Sequence, residues 1–598
     1  MFVERMKHLP EVLAGFSPDA VSAASAGWSA IPQVHRDSLV RAGEAALSRP
    51  WLLLLASDYR QYCDHGERRA GFEALYFERR LKLNDLVLAQ KVAGEGRFLD
   101  AIVEGIFLIC EESGWQLPAH NSYERGGARL PLPDAFDPVV DLFAAETAAI
   151  LATVWHLLRE PLDAISPTIG RRICAEIERR VLAPYLARHF WWMGSGDERM
   201  NNWTAWITQN VLLSAFTLPT SQQMRRAVVE KSLASLDAFL KDYAEDGACE
   251  EGVVYYRHAA LCLFGAMTVL ERVAPALVAP LWHAPKIRNM AEYILHMHVA
   301  GDHYFNFADS AARVDACGAR EYLFGRAVGS QPLVDFAAAD FKRSKDCLMP
   351  REWNLWYRLQ ALSVVATIGD LEPQPVKTGD MFYPGIGLFI ARDQKFALAV
   401  KGGHNGESHN HNDVGSVTLY KGGQPLLIDI GVETYTAKTF SPRRYEIWTM
   451  QSAYHNLPSF DGVMQEEGTA YAARDVEVSF EPAEASISLQ IAGAYPAHAG
   501  LRSYRRKVTL KRDVSVEIHD EHDGDLPATL SLMMVAKPEQ IPTGLRLGNL
   551  AEIHLQGAGK PVIEPILISD ARLRQSWPDR IYRVLVPLAD KALRLTII

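Results

Sequence analysis

Cysteine disappears after Cys347, and the seven present (Cys63, Cys110, Cys174, Cys249, Cys262, Cys317 and Cys347) are irregularly spaced, with no C-x-x-C pair. That excludes a disulfide framework and a thiolate zinc site and leaves buried, reduced thiols. Cys249 has no identifiable activating base and is read the same way. Positive charge is short as well: 62 Lys and Arg against 72 Asp and Glu leave a formal net charge of −10, whereas nonspecific nucleic-acid binding needs a basic footprint. Residues Met1–Pro10 hold no continuous apolar stretch of the kind found in a secretory leader, and no later stretch is uninterruptedly apolar over a bilayer's thickness. We therefore expect a cytoplasmic protein with neither nucleic acid nor membrane as partner. No strict internal repeat is visible either.

What is present describes a soluble globular chain, with 48% hydrophobic and 22% charged residues over 598 positions. That length is too great for one ordinary core, so two large domains are expected. Up to about residue 362 apolar residues recur at three- and four-residue intervals, predicting helices over 36–47, 81–93, 98–110, 143–158, 222–239 and 279–299. Many such antiparallel pairs suit a toroid or solenoid better than a four-helix bundle. A proline-rich, aperiodic stretch around Asp370–Lys377 reads as a linker. Beyond it, short alternating runs at 386–392, 396–401, 414–420, 476–480, 487–491, 506–510, 514–519 and 529–535 predict an antiparallel β-sandwich. The expected domains are 1–368, helical, and 369–598, sandwich.

The stretch Gly402-Gly403-His404-Asn405-Gly406-Glu407-Ser408-His409-Asn410-His411-Asn412-Asp413 places His409, His411 and Asp413 two residues apart, ahead of a strand-like run. If extended, they share one face. Downstream, Asp429 closes the apolar run beginning at Pro425, and His455 precedes Asn456 and the turn Asp461-Gly462. His411, Asp429 and His455 form a nitrogen and oxygen set from three segments, suited to zinc with one open position.

This order, H-x-H-x-D, a strand ending in D-x-G, then H-N before D-G, resembles the C-terminal half of the heparinase II/III-like polysaccharide lyases. Upstream, Asn201-Asn202-Trp203 before a helical run is similar to that family's Asn-His or Asn-Trp motif, and Asp246-Gly247 through Glu250-Glu251-Gly252 to Tyr255-Tyr256 is similar to its acidic segment. The resemblance spans roughly residues 200 to 462 and implies an N-terminal (α/α) toroid followed by a β-sandwich.

It also implies β-elimination at a uronate, in glycosaminoglycan or alginate. The C5 hydrogen is very weakly acidic while the neighbouring carboxylate is charged, so the enzyme must stabilise that charge, take the C5 proton and protonate the leaving 4-O oxygen. Asn202 is assigned to the carboxylate, since its amide donates without ionising; either Asn201 or Asn202 is alternatively a helix N-cap. Tyr256 is assigned as acid or base, with Tyr255 as fallback, and His409 completes the pair. Zinc then has a structural role, fixing His409. Asn201, Trp203, Tyr255, His120, Tyr435 and Arg444 are expected to contact substrate, with Asn306, Asp309 and Arg443 as weaker candidates. Three alternatives stay open: a metal-dependent hydrolase using the same ligands, a glycoside hydrolase using Glu250, Glu251 or Asp246, and a noncatalytic carbohydrate-binding protein. The acidic net charge and the expected compartment favour a short uronate oligosaccharide attacked from one end.

Overall fold

The computed structural model describes residues 1–23, 27–68 and 71–598. Two compact units make up the chain. One takes residues 1–243, 257–291 and 316–376, and the other takes 244–256, 292–315 and 377–598. Two stretches from the helical half of the sequence, the tyrosine turn and the Phe305–Ser310 segment, thus belong to the unit that holds the sheets.

The first unit is helical. Two largely buried helices, Leu142–Ile165 and Asn202–Thr217, pack against each other. Asp141 caps the first of them: its Oδ1 accepts from the backbone N–H of Phe143 (3.1 Å) and Ala144 (2.7 Å), satisfying donors that a helix start leaves orphaned. Pro161 lacks an N–H and crowds the preceding turn, and the helix kinks at Leu158 (φ −119°, ψ 15°). Asn202–Thr217 is buried nearly all round, so its polar residues find internal partners: Gln209 Nε2 donates to Tyr357 Oη at 2.7 Å and Ser214 Oγ to the Asn210 carbonyl at 2.8 Å. Two segments, Leu142–Ile165 and Val253–Val273, are long and apolar enough to cross a membrane by length and composition, contrary to the expectation from sequence, and are 89% and 72% buried within the protein. The expected helices are present, but the 81–93 helix begins at Phe72 and the 143–158 helix runs on to Ile165, and one expectation splits. Pro280 and Pro285 break the 279–299 run into a 3₁₀ turn Ala279–His283 and a helix Pro285–Met297, and His298–Ala300 is already strand.

The second unit is built of antiparallel sheets. A five-stranded sheet runs in sequence order through Met381–Tyr383, Leu388–Arg392, Phe396–Lys401, Val417–Lys421 and Gln424–Leu427. An eight-stranded sheet contains Arg474–Phe480, Glu484–Gln490, Leu501–Lys511 and Ser515–Gly524 as a meander, continued by Ala592–Ile597. A four-stranded sheet carries Ala528–Met534 and Arg580–Pro587 at its centre. The alternation is plain in Glu484–Gln490, where Ala485, Ile487 and Leu489 are buried and their neighbours are not. Those side chains join Leu398, Val400 and Leu419 of the five-stranded sheet and Leu532 and Val584 of the four-stranded one in a single core. Each fully buried Leu, Ile or Val there contributes about 1.5–3 kcal/mol.

Candidate active site and metal centre

The histidine-rich stretch is not extended. Residues 406–416 form a loop, the strand begins only at Val417, and His409 sits in the left-handed region at φ 58°. A non-glycine residue there is uncommon and marks a loop held by its surroundings. Lys401 and asparagines hold it. Lys401 Nζ, fully enclosed, donates to Glu407 Oε1 at 3.0 Å and the Ile386 carbonyl at 2.9 Å. Asn410 Nδ2 donates to the carbonyls of Asn405 (2.8 Å) and His411 (3.1 Å), and Asn412 Nδ2 to that of Gln465 (3.1 Å). Side-chain amides thus replace the backbone pairing a strand would have supplied.

His411, Asp429 and His455 come together, each offering a ligand atom within 4.8 Å of the others. Their exposures are 0, 2 and 0%, so the site is closed to solvent. His455 Nε2 lies 3.2 Å from the Thr449 carbonyl and His411 Nε2 3.2 Å from Asp309 Oδ1. Both acceptors suit a ring proton at Nε2, which leaves the two buried Nδ1 lone pairs available, that of His455 3.0 Å from Asp429 Oδ2. Buried orphaned imidazole nitrogens beside a carboxylate fit a nitrogen and oxygen cation site, with Asp309 and Thr449 as the outer partners that orient the rings. Burial would raise the Asp429 carboxyl, but His455 and His411 outweigh it and hold the group below its ordinary value. Asn306 Nδ2 donates to Asp429 Oδ1 at 3.2 Å, as does the Gly431 N–H at 2.8 Å. Asn306 therefore orients Asp429. Asp413 stays outside the trio.

Asp309 is the hub of the neighbouring site. Its fully buried carboxylate accepts from His409 Nδ1 (2.7 Å), His411 Nε2 (3.2 Å), Arg444 Nη2 (2.6 Å) and Tyr435 Oη (3.2 Å). Burial alone would raise this carboxyl; the Arg444 guanidinium and the two imidazoles overcome that and hold it well below the usual carboxylate range. The bond at Nδ1 leaves His409 Nε2 as the second nitrogen, 3.8 Å from Glu251 Oε2.

Of the two adjacent tyrosines, the one beside His409 is Tyr255, not Tyr256. The Tyr255 ring lies 4.6 Å from the His409 ring, and its hydroxyl hydrogen-bonds Tyr435 Oη. Tyr256 is fully buried, its ring 6.3 Å from that of Tyr293. The assignment moves by one residue because Val253–Tyr256 is helical, so successive side chains diverge by about 100°. Gly252 makes the approach (φ +85°): a Cβ there would stand 2.8 Å from the Phe307 carbonyl, and one on Gly431 (φ +79°) 2.8 Å from that of Ser310. Burial pushes the Tyr255 phenol above its ordinary value, opposed by the Arg572 cation. Tyr255 rests protonated.

Other expected contacts resolve differently. Arg444 is committed inward, to Asp309 and to the carbonyls of His409 (2.9 Å) and Thr439 (3.1 Å), and is not placed to hold a substrate carboxylate. Arg443 is exposed and pairs with Glu446 at 2.8 Å. Asp246 caps turns, accepting from Gly385 N–H (2.8 Å) and Ala248 N–H (3.0 Å), which removes it as a partner in a carboxylate pair. None of the seven cysteines is in a disulfide; Cys249 is buried, whereas Cys63, against expectation, is exposed.

Asn201, Asn202, Trp203 and His120 belong to the helical unit. Asn201 is the N-cap, its side chain accepting from Trp203 N–H at 3.1 Å, and Asn202 is the first helical residue, buried. Asn201→Ala is therefore expected to lower stability by about 1 kcal/mol with little change in turnover, measured by urea unfolding beside a rate assay. Trp203 lies 4.6 Å from the His120 ring and 5.0 Å from Trp191, forming an aromatic cluster. His120 Nδ1 is 2.7 Å from Asp141 Oδ2, and burial pushes that carboxyl up to about 7.

The sequence reading undervalued Asp309 and missed Arg572. Asp309 follows Ala308, a non-glycine residue at φ 53°, two residues after Phe307 in a short polar stretch, which is a weak signal. Arg572 carries none.

Residues 376–558 match the family described as heparinase II/III-like, C-terminal. No curated protein sequence matches the chain. Among solved structures, a heparinase III aligns with a TM-score of 0.60 and 13% identity over 94% of this chain and 89% of that one. A heparan sulfate lyase mutant from Pedobacter heparinus aligns at 0.58 and 14% over 100% and 92%, and a chondroitin AC lyase mutant from Streptomyces coelicolor at 0.53 and 12% over 97% and 83%. The expected fold, a helical toroid followed by an antiparallel β-sandwich, is borne out. The chain therefore carries the heparinase II/III-like C-terminal domain at residues 376–558, within a fold shared over its whole length with solved polysaccharide lyases.

Proposed function

We propose that the protein is a polysaccharide lyase that cleaves uronate glycosides by β-elimination. The observation that carries this reading is the pairing of an Asp-oriented imidazole with a protonated phenol, their rings 4.6 Å apart. His409 Nε2 takes the C5 proton. The C5–H electrons form the C4=C5 bond as the C4–O bond breaks, and Tyr255 gives its proton to the leaving oxygen. Proton transfer from His409 back to Tyr255 then restores both groups. In the helical unit, Asn202, Trp203 and His120 stay candidates for substrate contact by the resemblance alone.

Zinc is the proposed ion for His411, Asp429 and His455, with a structural role. Bound there, it supplies a fixed positive charge and a cross-link between loop segments. The complete burial of His411 and His455 argues against water activation on a substrate and so against the metal-dependent hydrolase.

The closeness of the two proton-transfer groups also bears on the sugar. A ring-to-ring distance of 4.6 Å leaves no room for a pyranose between acid and base, so both act from one face. That requires C5–H and C4–O on the same side, as in glucuronate and mannuronate and unlike iduronate and guluronate. The expected result is a product absorbing in the near ultraviolet through its C4=C5 bond, formed from glucuronate- or mannuronate-containing oligosaccharides in preference to their C5 epimers. Faster turnover of the epimers would reject the same-face geometry, and products without that absorbance would reject the lyase. The net charge of −10 favours short, weakly charged substrates over long sulfated polymers, and product sizes followed through the reaction test that.

A further inference from the structure

Arg572 lies 14 residues beyond the end of the 376–558 match, on a turn fixed by Asp570. Asp570 Oδ1 accepts from the N–H of Arg572 (3.0 Å) and Leu573 (3.0 Å), while its Oδ2 accepts from Thr434 N–H at 3.0 Å. One carboxylate thereby fixes both the arginine turn and the residue preceding Tyr435. The Arg572 guanidinium carbon sits 4.3 Å from the centroid of the Tyr435 ring, and Nη2 donates to the Asp309 carbonyl at 2.9 Å. Its charge acts on Tyr435, Tyr255 and Asp309 together.

The groups around the Tyr255–Tyr435 hydroxyl pair make this charge consequential. Tyr255 faces the His409 ring, the Glu251 and Asp309 carboxylates, Tyr435 and Arg572. Tyr435 faces Asp309, His409, Phe440 and Arg572, with Arg444 beyond Asp309. Arg444 is already hydrogen-bonded to Asp309. A negative charge placed on the hydroxyl pair would meet two carboxylates; the imidazolium that His409 becomes on taking the C5 proton balances it from one side, and Arg572 is the permanent cation placed to balance it from the Tyr435 side.

Resting on the lyase reading, we propose that Arg572 is a positioning residue of the reaction, supplying the positive charge that the Tyr255–Tyr435 hydroxyl pair requires when Tyr255 gives its proton to the leaving oxygen. The Tyr255 O–H bond breaks, the proton goes to the glycosidic oxygen, and the electron pair left on Tyr255 is shared through the hydrogen bond with Tyr435 under the guanidinium. No further reactant is needed, because the proton returned by His409 resets the pair.

Arg572→Met and Arg572→Lys in the full chain test this. Arg572→Met is expected to lower kcat by about 10- to 100-fold, a part of what a full proton-transfer group contributes, with KM within about threefold, because uniform binding is not what it removes. The alkaline limb of kcat, where Tyr255 loses its proton, should move to higher pH. Arg572→Lys should recover part of both, and in a Tyr255→Phe background Arg572→Met should have little further effect. Tyrosinate absorbance titrated without substrate separates this proposal from the lyase reading. The step absent from Tyr255→Phe should shift upward in Arg572→Met whatever the protein's activity. A raised KM with unchanged kcat, a loss of melting temperature with the alkaline limb and kcat in place, or an unmoved tyrosinate step would overturn it.

Discussion

We expect Tyr255→Phe and His409→Ala each to lower kcat by about 10²- to 10⁴-fold, the usual contribution of a positioned proton-transfer group, with the fold intact. Neither change opens a large cavity: Tyr255 is half-buried and loses one oxygen, and His409 lies on a loop held by Lys401, Asn410 and Asn412. Tyr256→Phe should retain near wild-type turnover. Its ring is fully buried beside Tyr293, so removing the hydroxyl there is expected to change stability and not turnover. Initial rates of unsaturated-product formation for the three variants, with thermal melts alongside, decide between the registers. An inactive Tyr256→Phe with an active Tyr255→Phe would return the role to Tyr256.

That one-residue difference shows what a linear pattern can carry. Residue types bring His411, Asp429 and His455 to notice, because two imidazoles and a carboxylate from separate strand-like segments have few other uses, and the structure draws them within 4.8 Å. Periodicity gives the helices and strands wherever an element has a solvent face and a core face, as in Glu484–Gln490. It fails where the environment is the same on every side or the element is too short to show a phase. Val253–Tyr256 is one helical turn, so nothing in its sequence says which tyrosine faces inward. The two-residue spacing of His409, His411 and Asp413 suggested one face of a strand. Asparagine side chains satisfy the backbone locally, and a loop with His409 at φ 58° results. Both histidines nonetheless converge on Asp309, through the fold and not through the spacing. Arg572 is 263 residues from the Asp309 carbonyl it binds. A contact of that range leaves no local trace in one sequence.

The metal site should decide stability as strongly as Tyr255 and His409 decide turnover. We expect about one zinc per chain by elemental analysis, since two Nδ1 atoms and a carboxylate oxygen suit that ion. His411→Ala should lose it. A cation binding the folded chain alone at about a thousand times its dissociation constant stabilises by about 4 kcal/mol, on the order of 10 °C in melting temperature for a domain of roughly 200 residues. Chelation of the wild type should therefore lower Tm by about that amount, and chelation of His411→Ala should not lower it further. Turnover should fall in the chelated protein as well, because His411 shares Asp309 with His409 and a loosened ring there disturbs both. The comparison that separates structural from catalytic metal is the rate of the chelated protein under conditions where it remains folded. With a structural ion a reduced rate persists and is abolished by Tyr255→Phe, whereas with a water-activating ion the rate vanishes on chelation while Tyr255→Phe of the zinc-loaded enzyme stays active. Full zinc content and unchanged Tm in His411→Ala would remove the site altogether.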